Sequence, residues 1–561
     1  MNKSLLEKNT NKSKKISKIL FISAPRLTLK QLNGHTERSR YYWEVYPPLG
    51  LMYLSSAFKQ NIKDIETKVL DLHLDSIKRS QKNIKVDWLE MCKEEIDEFN
   101  PDLVAISAMF GASFESTQLI GNYINEKYSD IVIVSGGVHI TGLTKEKTDD
   151  LNFNDFICIK ESERHFPQLV NYLNGETHLV NGVIPIKTRF VKNKNDFTKD
   201  TDVIDHVDEL PIPDFGVVDI KNYYKYGILS AAQTVSYDTP LATMQTVRGC
   251  TARCTFCSVR NFNGFGIRTH SPERVLKEMK ILYDQYGIRH IDFVDDDFTV
   301  SKERVIKICE MLIEKKLNLT WSIGNGVRLG SLDDEILTYM ANAGCTYLSL
   351  GIESGDGEML RQMKKPLTLK ILEKKAPLLA RHPKIYYRAN FITGYPGERP
   401  DQLQKTFDCA KKYTWDWCLF SLCKPLPDTE LYNKLLENNV KDSQVERKKN
   451  DEDYSFQETA GVVADDEQKL FQLTYDNNLV VNFKFNKNLY GRNIPRAISD
   501  FERVTKIAEN HAFAWNCLTI AYSNTKQKDK MSFAREKTKE ITKNNKYWAS
   551  KFKQLEFKPA Y

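Results

Sequence analysis

Short apolar runs alternate with helix-length amphipathic segments along the first third of the chain. The runs are rich in β-branched residues and lie at 19–23, 67–72, 103–107, 131–135 and 156–159. Continuous apolar runs of this length are typical of parallel strands that are covered by helices on both faces. The pattern therefore predicts a doubly wound parallel sheet over residues 19–184.

A second alternation of strands and helices begins at residue 241. Strand-like runs lie at 241–247, 290–294, 319–323, 347–350, 386–392 and 417–422. The first helix between them starts at Ser271 and Pro272 and ends at Gly287, which are favoured capping residues. Six such units predict a partial (β/α)6 barrel over residues 241–432, with its active site at the carboxyl ends of the strands.

The remaining segments flank or join these two α/β domains. We predict a disordered basic tail at 1–18, a proline-rich connector at 185–240 and an extension or lid of the barrel at 433–490. Residues 491–561 are expected to be α-helical, with apolar spacings that resemble a tetratricopeptide unit. This helical region is either a cap docked on the barrel or a module that binds a protein partner.

Composition narrows the class of protein. The chain has 561 residues and a net charge of +7, a mild basic excess that does not indicate nucleic-acid binding. Its eleven cysteines are odd in number and scattered, which favours a reducing cytoplasm over a disulfide framework. The sequence has neither the apolar run of a signal peptide nor that of a membrane span, so we expect a cytoplasmic protein, with peripheral membrane contact left open.

Three cysteines, Cys250, Cys254 and Cys257, follow the first strand of the predicted barrel. Thiolates are soft ligands that select iron–sulfur clusters, zinc or cuprous ions. Three ligands leave one metal position open for a reactant, whereas a structural site is normally closed by a fourth. The alternatives are buried thiols, or a zinc site closed by a distant histidine.

With Arg248-Gly249 before the first cysteine and Phe256 before the last, this run resembles the radical S-adenosylmethionine (SAM) superfamily. The resemblance implies a 4Fe-4S cluster on the three cysteines, with SAM bound to the open iron. Reduction of the cluster would cleave SAM to a 5′-deoxyadenosyl radical, which removes a hydrogen atom from the substrate. The residues that the resemblance places around SAM are Phe256, Asp295, Asp296, Glu353, Ser354, Arg388, Gly394 and Pro396.

The segment Pro47-Pro48-Leu49-Gly50 and the paired glycines Gly136-Gly137 make the first domain resemble the cobalamin-binding domain of one radical SAM subfamily. The candidate cobalamin residues lie after the third and fourth strands, and they are Met109, Phe110, Ser135, Gly136, Gly137 and His139. The Asp-x-His-x-x-Gly signature of proteins with a histidine on cobalt is incomplete, because Ser76 follows Asp71-Leu72-His73 where the glycine belongs. Of the histidines, His139 is the best placed for cobalt.

The resemblance implies methylation of an unactivated carbon in a small-molecule or lipid substrate. The alternative within the subfamily is radical cyclisation or carbon–carbon bond formation, on a lipid, isoprenoid or pigment, without net methyl transfer. An alternative of another class is a non-catalytic iron–sulfur or zinc protein. As an enzyme, the protein would need a reducing partner such as ferredoxin or flavodoxin.

Overall fold

The structure is a computed structural model that describes residues 15–34, 43–143, 148–191, 193–198, 203–227, 234–236, 238–437 and 467–560. Most of the predicted basic tail lies outside these residues. The chain divides into two compact units. Among the described residues, the first unit holds 15–34, 44–227 and 258–270, and the second holds Trp43, 234–257 and the chain from residue 271 onward.

The first unit is built on a sheet of six strands. They are β1 (Lys18–Ser23), β2 (Glu66–Asp71), β3 (Leu103–Ser107), β4 (Val132–Gly136), β5 (Phe156–Cys158) and β7 (Val183–Pro185), and two short strands, β6 (Val180–Asn181) and β8 (Phe197–Thr198), pair with each other. The sheet order is β2-β1-β3-β4-β5-β7, and only β7 runs antiparallel. The strand order reverses between β1 and β3, and the crevice at such a point is where doubly wound sheets bind ligands.

Helices connect these strands, as the apolar runs predict. They are α1 (Leu29–Asn33), α2 (Leu49–Asn61), α3 (Leu72–Gln81), α4 (Trp88–Phe99), α5 (Phe114–Lys127), α6 (Val138–Leu143), α7 (His165–Leu173) and α8 (Ile220–Tyr226), with α9 (Val259–Asn263) and strand β11 (Arg268–Thr269) from later in the chain. Phe58 of α2 packs on Phe166 of α7, with ring centroids 5.0 Å apart, and both contact Phe21 of β1. These aromatic contacts fix two helices on one face of the sheet.

Part of the predicted connector packs tightly on the first unit. The Tyr223 hydroxyl of α8 donates a hydrogen bond of 2.9 Å to the buried carboxylate of Asp71, at the end of β2. Asp214 accepts a hydrogen bond from the Ser55 hydroxyl and forms an ion pair with Lys59, and both partners lie on α2. Residues 203–227 therefore belong to the core of this unit, while the domain boundaries drawn from the sequence remain predictions.

Replacing Tyr223 by phenylalanine should lower the free energy of unfolding by about 2 kcal/mol, because a buried carboxylate loses its donor. Burial raises the pKa of Asp71 to about 6, and the hydrogen bond favours the ionised form. The loss should therefore be larger at pH 8, where Asp71 is ionised, than at pH 5, where it is mostly protonated. Urea unfolding at the two pH values measures this, with Tyr224→Phe as the control, and an equal loss at both would contradict it.

The second unit contains the predicted partial barrel. Its strands are β9 (Leu241–Met244), β10 (Val247–Arg248), β12 (His290–Phe293), β13 (Thr320–Val327), β14 (Cys345–Glu353), β15 (Tyr386–Thr393) and β16 (Trp417–Leu422). Its helices are α10 (Pro272–Tyr286), α11 (Lys302–Lys315), α12 (Asp334–Asn342), α13 (Gly357–Gln362), α14 (Leu369–Leu379), α15 (Pro400–Lys412) and α16 (Glu430–Glu437). Six strands form one parallel sheet in the order β16-β15-β14-β13-β12-β9. The predicted fold class is confirmed.

The helical C-terminal region packs on the last strand of this sheet. Its helices are Glu467–Leu479, Ile494–Ile507, Ala512–Asn524, Lys528–Asn544 and Lys546–Gln554. Asn482 donates to and accepts from the backbone of Cys418 in β16. The assignment of 433–490 as a lid partly concerns residues 438–466, which lie outside the described residues. No helix in the described part of the chain is long and apolar enough to cross a membrane.

A buried charge cluster joins the C-terminal helices to the barrel. Asp416, which is 2% exposed, accepts hydrogen bonds from Arg492 at 2.9 Å and Arg496 at 3.0 Å. It also accepts from the backbone N–H of Tyr387, at the beginning of β15. Since a buried carboxylate is stable only when its charge is matched, the two arginines make the C-terminal helices part of the barrel's own core.

Candidate functional site

The cysteine loop is anchored to the barrel on both sides. The N–H of Gly249 donates to Asp296 at 2.8 Å, and the N–H of Thr255 donates to the carbonyl of Met363 at 3.0 Å. The Thr255 hydroxyl also bonds the hydroxyl of Tyr395 at 2.7 Å. Phe256 packs on an apolar cluster that includes Met363 and Tyr395. These contacts hold the loop at the carboxyl end of the barrel, as predicted from its position after the first strand.

Three of the eleven cysteines differ from the others in exposure. Cys250, Cys254 and Cys257 are partly exposed, whereas the other eight are buried. Burial raises the pKa of Cys254 to about 12, and the Lys365 ammonium opposes this shift. In the part of the chain that the structure describes, the three thiols do not yet surround one point as metal ligands must. They are nevertheless the three thiols within reach of a ligand, and three soft donors suit an iron–sulfur cluster.

Three consecutive aspartates after β12 have three different roles. Asp295 is fully buried and accepts hydrogen bonds from the backbone of Thr246 and Val247, so it is a structural carboxylate facing the protein interior. Asp296 holds Gly249 in the cysteine loop. Asp297 forms an ion pair of 2.7 Å with Arg328 and lies 4.0 Å from the sulfur of Cys250. Of the three aspartates, Asp297 is thus the one whose carboxylate contacts a thiol, and it is not among the predicted SAM residues.

Glu353 faces the cysteine loop from the end of β14. It adopts the left-handed conformation, with φ of 67°, next to an irregularity in strand pairing. Such strain in a non-glycine residue is characteristic of functional sites. Its carboxylate pairs with Lys365 at 2.8 Å, and both side chains are 12% exposed. Burial opposes the charge of Lys365, but Glu353 and Cys254 outweigh it and raise the pKa of the lysine.

The other predicted SAM residues divide into two groups. Ser354 is fully buried, and its hydroxyl bonds Thr406 and the N–H of Asp356, so it serves the fold. Gly394 has φ of 71°, and its N–H donates to Glu398 at 2.6 Å. Pro396 lies in the same turn and is partly buried. Ser354 is thus engaged within the protein, and the assignment of Ser354, Gly394 and Pro396 to SAM remains a prediction.

Arg388 lies deeper in the barrel than the sequence suggested. It pairs in register with Ser349, whereas Glu353 pairs with Phe391, three residues further along β15. At about 3.3 Å per residue, this places Arg388 about 10 Å below the Glu353 level. Its guanidinium bonds the Ser349 hydroxyl at 3.3 Å. Arg388 is therefore a residue of the barrel interior.

Several buried polar atoms at the barrel end and in the barrel interior lack a partner among the described residues. They are Asp297 Oδ1, Arg328 Nε, Arg388 Nε, Asn390 Oδ1 and Glu398 Oε1. Burial raises the pKa of Glu398 to about 7. Unsatisfied buried polar atoms are costly, so a group of both donors and acceptors indicates a polar ligand. SAM carries an ammonium, a carboxylate, hydroxyls and an adenine, and the available groups fit it.

The first unit has its own candidate site at the reversal point of the sheet. Met109 and Phe110, which follow β3, are large apolar residues that are 47% and 49% exposed. The guanidinium of Arg26, which follows β1, lies 4.9 Å from the Phe110 ring centroid. Arg26 is not among the predicted cobalamin residues. Exposed apolar side chains in this crevice fit a large planar cofactor such as cobalamin.

The loop after β4 closes against the loop after β3. Gly137 has φ of 111°, and a Cβ there would lie 2.6 Å from the Ala108 carbonyl oxygen. The N–H of His139 donates to the same oxygen at 3.2 Å, and its ring lies against Gly111 and Phe114. These contacts bring Gly136, Gly137 and His139 beside Met109 and Phe110. Ser135 differs, because its buried hydroxyl donates inward to Asn154.

His73 is engaged within the protein. Its Nε2 lies 3.2 Å from the Glu44 carbonyl oxygen, and its Nδ1 lies 3.4 Å from the Arg26 N–H. Burial, with the charge of Arg26, lowers its pKa to about 3, so the ring is neutral. Both ring nitrogens of His73, within the incomplete Asp71-Leu72-His73 signature, are thus engaged by groups of the protein.

Replacing Gly137 by alanine should disrupt the crevice, because the new Cβ would overlap the Ala108 carbonyl at an unfavourable φ. We expect a loss of about 2 kcal/mol in stability and weaker cobalamin binding. Corrin absorbance after incubation with hydroxocobalamin and gel filtration measures the binding. Gly50→Ala is the control, since nothing lies within 4 Å of its Cβ, and equal corrin binding by both variants would refute the role of Gly137.

The chain combines a doubly wound sheet domain with a parallel partial barrel. Three accessible thiols lie at the carboxyl end of the first barrel strand. This is the architecture of a corrinoid-binding radical SAM enzyme. The sequence matches the B12 binding domain over residues 43–170 and the radical SAM superfamily over residues 244–410. The two matches together cover more than half of the chain. The chain belongs to the cobalamin-binding subfamily of the radical SAM superfamily.

Several characterised and uncharacterised proteins are similar along most of the chain. An uncharacterised methyltransferase of Pyrococcus horikoshii is 29% identical over 437 residues, which are 76% of this chain and 84% of that protein. The cytidylyl-2-hydroxyethylphosphonate methyltransferase of Streptomyces wedmorensis is 26% identical over 70% of this chain and 79% of its own. Among solved structures, the cobalamin-dependent SAM radical enzyme OxsB superposes with a TM-score of 0.57 at 18% identity, covering 96% of this chain and 80% of that one. This likeness shows the shared fold.

The family assignment establishes the cofactors and the class of activity. The protein is a radical SAM enzyme that uses a 4Fe-4S cluster, SAM and cobalamin. Cys250, Cys254 and Cys257 would hold the cluster, and the crevice around Phe110 and Gly137 would hold cobalamin. The predicted cofactors are confirmed, and the alternative of a non-catalytic iron–sulfur or zinc protein is not supported.

Proposed function

We propose that the protein methylates an unactivated carbon of a polar small molecule. The observation that carries this proposal is the presence of both sites in one chain, an accessible three-thiol loop in the second unit and an apolar crevice with Gly137 in the first. When bound, the cofactors supply a substrate radical and a methyl group. The protein's own residues bind and orient SAM and the substrate.

The chemistry of the barrel interior supports a polar substrate. Side chains that face inward are linked by hydrogen bonds: the Ser322 hydroxyl donates to Asp292 at 2.8 Å, and Asn390 donates to Ser349 at 2.7 Å. Arg388 reaches the same serine. An interior that contains acidic, basic and amide groups suits a substrate with its own polar or charged groups.

The aromatic residues near β16 support the same substrate class. Phe420 packs on Phe391 and on Phe407 of α15, with centroids 5.2 and 5.4 Å apart, so it faces the helices. Trp417 contacts Phe483 of the C-terminal region. These rings are engaged in packing, so they do not themselves supply an apolar cavity for a lipid or isoprenoid chain.

Radical cyclisation is the second candidate. An anaerobic magnesium-protoporphyrin IX monomethyl ester cyclase of Rubrivivax gelatinosus is 25% identical over 62% of this chain and 60% of its own. The two candidates differ in their use of SAM. Methyl transfer consumes one SAM to give 5′-deoxyadenosine and a second to give S-adenosylhomocysteine, whereas cyclisation gives 5′-deoxyadenosine alone.

The test uses full-length protein reconstituted anaerobically with iron, sulfide and hydroxocobalamin. Dithionite, a flavodoxin or a ferredoxin supplies electrons, methyl-deuterated SAM is the donor, and the polar and lipid extracts of cells lacking the protein supply candidate substrates. Formation of both SAM products, with a three-deuterium mass shift in a polar metabolite, is expected. A product without the label would favour cyclisation, and a labelled lipid would refute the polar substrate class.

A further inference from the structure

A hollow of about 660 Å³ lies at the end of the chain, away from the residues assigned to SAM and the cluster. It is formed by the Lys528–Asn544 and Lys546–Gln554 helices and the residues that follow them. Its floor is apolar, because Phe552 and Phe557 face it and are only 6% and 5% exposed. Phe513 packs beneath both rings, so the floor is the rigid core of the C-terminal helices.

The rim of this hollow is strongly basic. Four lysines line it, Lys539, Lys543, Lys553 and Lys558, together with one acid, Glu556. Lys539 pairs with Glu536 at 3.1 Å. Among the described residues, no ion pair is formed by Lys543, Lys553 or Lys558. Unneutralised cations around an apolar floor indicate a ligand that is anionic and partly apolar.

The surrounding sequence carries the same charge. Residues 525–560 contain eleven lysines and arginines and four acidic residues. This excess of seven positive charges equals the net charge of the whole chain. Among the charged residues of this segment only Lys551 is buried, and it pairs with Asp476. The C-terminal helices therefore present a concentrated positive field to any acidic surface.

We propose that this hollow binds the headgroups of anionic phospholipids and holds the protein at an acidic bilayer surface. Such a surface presents negative charge next to the apolar beginning of acyl chains, and the lysine rim and phenylalanine floor match these two features. Each lysine near an anionic bilayer strengthens this attraction. Nucleic acid fits less well, because bases stack on open aromatic faces, whereas these two rings form the floor of a hollow.

The test is co-sedimentation of the full-length protein with phosphatidylcholine vesicles that contain or lack phosphatidylglycerol. We expect binding to the acidic vesicles alone, weakened by salt. The variant Lys543→Glu/Lys553→Glu/Lys558→Glu should lose binding at least about tenfold. Lys277→Glu/Lys307→Glu/Lys374→Glu is the matched control, since these lysines are exposed on barrel helices and the charge change is identical.

Thermal unfolding verifies that both triple variants fold, and formation of 5′-deoxyadenosine should be unchanged in both. The inference does not rest on methyl transfer, so either can fail alone. The inference is overturned if the wild-type protein does not bind acidic vesicles or binds pure phosphatidylcholine vesicles equally well. It is also overturned if both triple variants bind acidic vesicles to the same extent. It is also overturned if the protein binds polyglutamate but not the vesicles, and if the rim-lysine triple variant loses that binding. This result would indicate an acidic protein as the partner.

Discussion

Alanine at Cys254 should abolish the iron–sulfur cluster and, with it, all cleavage of SAM. The thiol is one of three accessible sulfurs in an anchored loop, and a cluster held by the remaining two would lose a third of its protein ligands. Iron and sulfide content and the absorbance of the anaerobically reconstituted protein measure the cluster. We expect 5′-deoxyadenosine formation at the level seen without enzyme.

The control for this prediction is Cys309→Ala, because Cys309 is buried in α11, outside the cysteine loop. It should retain cluster content and SAM cleavage. The same loss is expected for Cys250→Ala and Cys257→Ala. Wild-type iron content with active SAM cleavage in any of these three variants would show that another residue binds the cluster.

Glutamine at Lys365 should lower the free energy of unfolding by about 3 kcal/mol, because it leaves the largely buried Glu353 carboxylate without its counterion. Its neighbour provides a matched control. Lys364 forms an ion pair of similar length with Glu430, at 2.6 Å, but the two side chains are 50% and 36% exposed. Lys364→Gln should therefore cost less than about 1 kcal/mol. Urea unfolding of the cluster-free protein measures both effects.

The double variant Glu353→Gln/Lys365→Gln separates stability from function. Removing both charges should restore most of the lost stability, since no uncompensated charge remains. If the pair also positions SAM, 5′-deoxyadenosine formation should stay low in the double variant. Full recovery of both properties would restrict the pair to a structural role, and an unchanged stability in Lys365→Gln would contradict the burial of the pair.

The sequence predicted the positions of all strands of the two six-stranded sheets except β7, because each of these strands is an apolar or alternating run whose burial is decided locally. It missed the short antiparallel β7, which has only three residues. It also located the cysteine loop, since residue type and spacing carry the chemistry of a metal site. The roles of Asp295, Asp296 and Asp297 could not be predicted. Three identical neighbours acquire different partners only when Thr246, Gly249 and Arg328 are brought near them by the fold.

Lys365 was missed for a related reason. It stands in the run Lys364-Lys365-Pro366, where no sequence signal distinguishes a buried lysine from an exposed one. Ser354 shows the converse case, because its motif position predicts a ligand contact, whereas in the fold its hydroxyl bonds Thr406 and the N–H of Asp356. Arg26 was overlooked because its neighbour Phe110 is distant in sequence and meets it only through the order of the strands.

The charge cluster at Asp416 has a consequence for how the protein is made. Its two arginine partners follow it by 76 and 80 residues. At a synthesis rate of about 5–20 residues per second, the two arginines are added roughly 4–15 s after Asp416. The last barrel strand is thus secured late in translation. A nascent chain that stops between Asp416 and Arg492 keeps an acid at the barrel base without its counterions, and we expect cellular proteases to remove such fragments.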